Sequence, residues 1–162
     1  MAYDEKLLNT CLEQEKRYTF PSFGRDDVWD LANDLVAAAK EARGPLAVEI
    51  DLNGLMVFRY YPAGTGEFNT QWLNRKRRMV HLKEMSSLRV GVELALANET
   101  MEESMRLDPA DYAACGGGFP IRLEGGCVIG FIGTSGLTDE EDHAALIAGL
   151  ERYFQRRWPT NP

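Results

Sequence analysis

Apolar positions recur at helical spacing from the start of the chain. Leu7, Leu8, Cys11 and Leu12 form one stripe, predicting a helix over residues 4–17. "FPSFG" at 20–24 ends it, because Pro21 biases its predecessor toward an extended conformation. Val28, Leu31, Ala32, Leu35, Ala39 and Ala42 form a second stripe. They predict a helix over about 26–43 that opens on Asp26 and Asp27 and closes at Gly44-Pro45. The period then falls to two. In "LAVEIDL", Leu46, Val48, Ile50 and Leu52 share one face of a strand, and Glu49 and Asp51 take the other. Asn53-Gly54 suits a type I′ turn, so "LMVFRYYP" is expected to return as the partner strand.

Residues 67–84 and 86–99 predict further helices, with a short helical turn near 101–106. "FPIRLE", a Gly125-Gly126 turn and "CVIGFIG" then predict a second hairpin. In its last strand Val128 and Ile132 are expected to face one way and Ile129 and Phe131 the other, as in a central strand covered on both sides. The final helix follows "LTDEE", where Thr138 can cap, Glu141 can bond back and Leu137 can act as the hydrophobic staple. Ile147, Leu150 and Phe154 form its apolar stripe. The order α-α-β-β-α-α-β-β-α predicts an α+β fold, an antiparallel sheet built from two hairpins and flanked by helices. No repeat or linker interrupts it, so one domain over residues 1–162 is expected.

Bulk properties narrow the function classes. A net charge of −7 argues against general nucleic-acid binding, which needs a cationic surface. No apolar run approaches the length of a membrane span, so no membrane insertion is expected. "MAYDEKLLNT" lacks the basic and then apolar pattern of a secretory signal. Cys11, Cys115 and Cys127 show neither CxxC spacing nor an even count. Reduced thiols, a cytoplasmic location and no metal site are the expectation.

"AACGGGFPI" at 113–121 is the most unusual stretch. Gly116, Gly117 and Gly118 lead into a strand, whereas phosphate-binding loops lead into a helix, and no nucleotide motif is present. Ser135 in "GTSGL" lies near His143, but position 137 is Leu where the nucleophile elbow of esterases requires Gly. Two readings of the glycines stay open: close backbone approach at the start of a buried strand, or the floor of a pocket.

In "FNTQWLNRKRRMVHLKEMSS" the stripe expected to pack is Phe68, Trp72, Met79 and Val80, with Lys76 between Trp72 and Val80. Arg75, Arg77 and Arg78 point in different directions and are expected to be solvated. A lysine on the packed stripe must reach water or meet an anion. Glu49, Asp51 or a ligand carboxylate are the alternatives. Ser86 and Ser87 are expected to cap the next helix, and His81 and His143 to be structural.

Several of these segments together resemble the GlcG/HbpS-like family, whose domain is labelled haem-degrading. They are Trp72-x-x-x-Lys76, the serines at 86–87, "LDPADYAACGGGFPIR" at 107–122 and "GTSGLTDEEDH" at 133–143. The resemblance spans roughly residues 4–155 and is nearest to the uncharacterised stand-alone members. It implies a profilin-like fold in a symmetric homo-oligomer. Some relatives bind haem and are linked to iron or redox sensing, and others accompany glycolate or diol metabolism. A eukaryotic relative resembles a partner of the machinery delivering tail-anchored membrane proteins. Histidines usual in that branch before the paired serines and before the glycines are Met85 and Cys115 here.

The resulting expectation is an oligomeric binding protein with a pocket formed by Trp72, Lys76, Cys115, Gly116, Gly117, Gly118 and Phe119. Lys76 would hold an acidic group of haem or of a small carboxylate, and Cys115, with a lowered pKa, would ligate iron or act in redox chemistry. An assembly or chaperone-like protein without a small ligand is an alternative, with Met56, Phe58 and Tyr60 as its candidate apolar face. A weak hydrolase or redox enzyme is the other. No residue is assigned a catalytic role.

Overall fold

The computed structural model describes residues 2–160. Helix α1, Glu5–Arg17, starts where the Asp4 carboxylate accepts from the Leu7 amide. A 3₁₀ turn, Arg25–Asp27, then precedes α2, Val28–Glu41. The second helix is therefore shorter than its expected 26–43, because its acidic first turn is wound more tightly. Strands β1, Ala47–Leu52, and β2, Leu55–Tyr60, flank Asn53 and Gly54. Both turn residues have positive φ, 51° and 82°, as a type I′ turn requires.

Helices α3, Glu67–Lys83, α4, Ser87–Ala97, and the single turn α5, Met101–Met105, follow. Strands β3, Gly118–Arg122, and β4, Val128–Ser135, make the second hairpin. Helix α6, Asp139–Arg157, closes the fold behind the expected capping box of Thr138 and Glu141. The sheet order is β2-β1-β4-β3 with every neighbour antiparallel. The fold is α+β, an antiparallel sheet between helices, and β1 and β4 are its central strands.

Helices α2 and α6 cover one face, where Leu31, Leu35, Val48, Ile50, Ile132, Leu146 and Leu150 meet in the main core. Helix α3 covers the other, packing Leu73 and Val80 on Ala47 and Phe131. Glu49 and Asp51 lie on this second face and are fully buried. Tyr61 donates to Glu49 at 2.6 Å, and His81 Nε2 lies 2.7 Å from Asp51. Ile129 departs from the expected alternation and packs with the main core. A bulge opposite Ile121/Arg122 inserts it and shifts its side by one place. Ile147 and Phe154 on α6 are only partly buried, as are Phe58 and Tyr60 on the edge strand β2. The outer edge of β3 is partly protected by Phe20, whose amide donates to Arg122 O at 2.7 Å. No helix is long and apolar enough to cross a membrane.

Candidate functional site

The N-terminal half of α3, the β4–α6 turn and the loop before β3 enclose a pocket of about 530 Å³. Phe68, Trp72, Lys76, Cys115, Asp139 and Asp142 are among its lining residues. That volume falls within the range of small-molecule sites.

Helix α3 supplies the aromatic wall. Trp72 and Phe68 meet edge to face with centroids 6.5 Å apart. Phe68 does not pack as its stripe position suggested, for it is 75% exposed. Its place in the first turn of α3 overhangs the pocket, and Leu73 takes the inward position over the sheet. Arg75 lies over the Trp72 ring at 3.8 Å from the centroid.

Lys76 is 2% exposed. Its Nζ donates to Asp142 Oδ2 and to Thr134 O, both at 2.9 Å. The internal anion is therefore Asp142; Glu49 is held by Tyr61 and Asp51 by His81. Asp142 also accepts from the Leu137 amide at 2.9 Å, which fixes the turn into α6. Burial pushes the Asp142 carboxyl up, opposed by Lys76 and by the Leu137 and Gly136 amides. A charge-compensated pair thus stands where the alternatives were Glu49, Asp51 or a ligand carboxylate.

Cys115 brings sulfur to the pocket wall. Burial raises its thiol above the ordinary range, and the opposing field of Lys76 is the smaller effect. This reverses the lowered pKa expected from the sequence, because the loop that brings the sulfur near Lys76 also removes it from water. Ser87 pins that loop by donating to Cys115 O at 2.5 Å, whereas Ser86 alone caps α4 through Arg89 N. Asp139 is held by the Tyr3 hydroxyl at 2.5 Å.

Gly116, Gly117, Gly118 and Phe119 stand behind the pocket and are not among its lining residues. A Cβ at Gly116 would overlap Asp139 O. At Gly117, with φ +102°, it would lie 2.6 Å from Lys76 Nζ, and at Gly118 2.6 Å from Ser87 Oγ. The glycines let the chain pass between α3 and α6, and Phe119 enters the main core.

Ser135 and His143 do not form a catalytic pair. Ser135 Oγ accepts from Asn69 Nδ2 at 3.4 Å, and His143 Nε2 meets Gln14 Oε1 at 2.9 Å. His143 is held neutral, its pKa lowered to about 4 chiefly by burial and further by Lys76. No group of three or more His, Cys, Asp or Glu side chains that could hold a metal ion occurs among the described residues.

Fold and pocket together define a class: an antiparallel α+β domain with one thiol and a compensated lysine beside an open aromatic wall. Residues 23–151 match the family described as haem degrading protein HbpS-like, and the chain belongs to that family. A UPF0303 protein of Streptomyces avermitilis is 42% identical over 148 residues, 91% of each chain. The crystal structure of the Ybr137w protein superposes with a TM-score of 0.85 at 28% identity, covering 95% of this chain and 96% of that one. The crystal structure of a PduOC:heme complex gives a TM-score of 0.68 at 15% identity, over 80% of this chain and 94% of that one. This second likeness is one of fold.

Proposed function

We propose that the pocket binds a planar, largely apolar ligand of haem type, with Cys115 Sγ as the iron ligand. The observation that carries this reading is Phe68. A phenyl ring left 75% exposed at the rim of a pocket, edge-on to Trp72, is an apolar surface awaiting a partner. The family's description and the haem complex of a protein of the same fold support the choice of ligand. The residues present fit haem through a single donor: among the described residues Cys115 is the only sulfur lining the pocket and would hold the iron, and neither histidine lines it. Haem would supply an iron centre that accepts a soft ligand.

Each pocket residue has a part in this reading. Phe68 and Trp72 cover the ring faces and edges. Cys115 must release its proton to ligate, so binding strengthens as pH rises toward its raised pKa. Lys76 stabilises the thiolate that forms, while Asp142 keeps the lysine in place. The test is a haemin titration followed by the Soret band, with Cys115→Ser in parallel. A saturable band that moves in the variant is expected; a band absent from the wild type overturns the reading.

A second observation favours self-association. Trp29 is 68% exposed and sits edge-on to Phe58 at 6.4 Å, with the 49% exposed Leu55 on the same edge strand. This apolar patch over β2 is proposed as the contact of a homo-oligomer. Sedimentation velocity should show an assembly that Trp29→Glu dissociates, and a monomeric wild type would remove the proposal.

A further inference from the structure

We infer that Ser135 is the polar anchor of this pocket, and that the end of the ligand seated against it is uncharged and carries a carbonyl oxygen. The inference rests on the pocket being a ligand site, but not on the ligand being haem.

Ser135 ends β4, pairs with Ala47 of β1 and lines the pocket. It is 4% exposed. Asn69, in the first turn of α3, also lines the pocket and sets the direction of the hydrogen bonds between them. Its Oδ1 accepts from Gly66 N at 2.9 Å, so the amide nitrogen is the end turned to Ser135. That nitrogen donates to Ser135 O at 3.3 Å and to Ser135 Oγ at 3.4 Å. The hydroxyl is therefore the acceptor in its side-chain contact, and among the described residues no group accepts its proton. A hydroxyl taken this far from water is costly with its donor unmade, and the pocket is where an acceptor can reach it.

The other polar walls are already engaged. Lys76 Nζ donates to Asp142 and to Thr134 O, and the second Asp142 oxygen accepts from Leu137 N. Asp139 Oδ2 accepts from the Tyr3 hydroxyl. Cys115 contributes a thiol, a weak donor that its raised pKa keeps protonated.

Charge selects the class of ligand. The charged walls of the pocket are Lys76, Asp142 and Asp139. The first two compensate each other, and Asp139 leaves one negative charge. A carboxylate against Ser135 would gain one hydrogen bond but meet that charge, whereas a neutral carbonyl gains the bond without the repulsion. Phe68 and Trp72 then take the ring that bears it.

Isotope-labelled wild type, Ser135→Ala and Asp139→Asn are titrated with benzamide and with benzoate, following the amide resonances of Gly136 and Leu137. Circular dichroism checks that the variants fold, and haemin is titrated separately by its Soret band. Saturable benzamide binding is expected in the wild type, about fivefold weaker in Ser135→Ala. Benzoate should bind the wild type about tenfold more weakly than benzamide, and this preference should narrow in Asp139→Asn. Equal benzamide affinity in wild type and Ser135→Ala overturns the inference, as does a wild type whose resonances show no saturable benzamide shift. Benzoate that binds as tightly as benzamide also overturns it. Should Ser135→Ala fail to fold, the ratio of the two affinities in wild type and Asp139→Asn decides. A haemin band without benzamide binding keeps the haem reading and removes this inference; Ser135-dependent benzamide binding without a haemin band does the reverse.

Discussion

Lys76 Nζ lies 2.9 Å from Asp142 Oδ2, and the two residues come from helices on opposite faces of the sheet. The contact passes the end of β4, where Thr134 O accepts a second hydrogen bond from Lys76 Nζ and Thr134 Oγ1 donates to Asp142 O at 2.7 Å. Two helical layers, the central strand and the turn at Leu137 are joined through one buried ion pair.

Removing one partner strands the other charge away from water. Lys76→Met is expected to lower stability by about 3–5 kcal/mol, and Lys76→Met/Asp142→Leu to recover part of that loss. Urea unfolding of the three proteins measures it. A single variant within about 0.5 kcal/mol of wild type would show that the pair contributes nothing net.

Stability should depend on pH through His143. The unfolded imidazole takes up a proton near pH 6.5, whereas the buried one resists until about pH 4. Between these values the unfolded state holds more protons, so acid favours unfolding. The contribution is complete above pH 6.5 and is lost as pH falls toward 4, by about 3 kcal/mol. His143→Leu should flatten this part of the profile when unfolding is measured from pH 7 to 4. Parallel profiles for variant and wild type would contradict the assignment.

Gly117 and Gly125 both have positive φ, +102° and +95°, yet alanine should affect them differently. At Gly125 nothing lies within 4 Å of the added carbon, so only backbone strain of about 1–2 kcal/mol is expected. At Gly117 the same carbon meets Lys76 Nζ and Thr134 O at 2.6 Å, and the cost should exceed that by roughly 2 kcal/mol or more. Thermal melts of the two variants compare them directly; equal losses would mean the glycine run is needed for its dihedrals alone.

The three thiols should react in the order of their access to water. Cys127 is exposed, Cys115 is half-buried with a raised pKa, and Cys11 is fully buried with its pKa pushed up to about 11. Iodoacetamide at neutral pH, followed by mass spectrometry, is expected to label Cys127 first and Cys11 last. Labelling of Cys115 as fast as Cys127 would show that Lys76 outweighs burial.

Local chemistry was readable along the chain. Alternation marks β1, Asn53-Gly54 marks its turn, and Thr138 with Glu141 marks the start of α6, because each signal lies within a few residues of its effect. The choice facing Lys76, to reach water or to meet an anion, was also legible from its place between Trp72 and Val80, and the structure buries it. Its partner was not, since Asp142 lies 66 positions away and Glu49 and Asp51 were equally plausible anions.

Phe68 shows the limit of periodicity. It shares the spacing of its stripe, but in the first turn of α3 it stands exposed at the pocket, and spacing does not encode where a supporting layer ends. Arg75 shows the reverse, a residue assigned to water by its direction on the helix but half-buried, with its guanidinium carbon 3.8 Å from the centroid of the Trp72 ring. The elements, their order and the α+β class could be read along the chain, because they follow from short-range pattern. Which charges meet, which aromatic ring is left open and the direction in which the Cys115 thiol is shifted emerge only once the chain is folded. Those outcomes depend on distances and solvent access between segments far apart in the chain, and Coulomb and desolvation effects act through space.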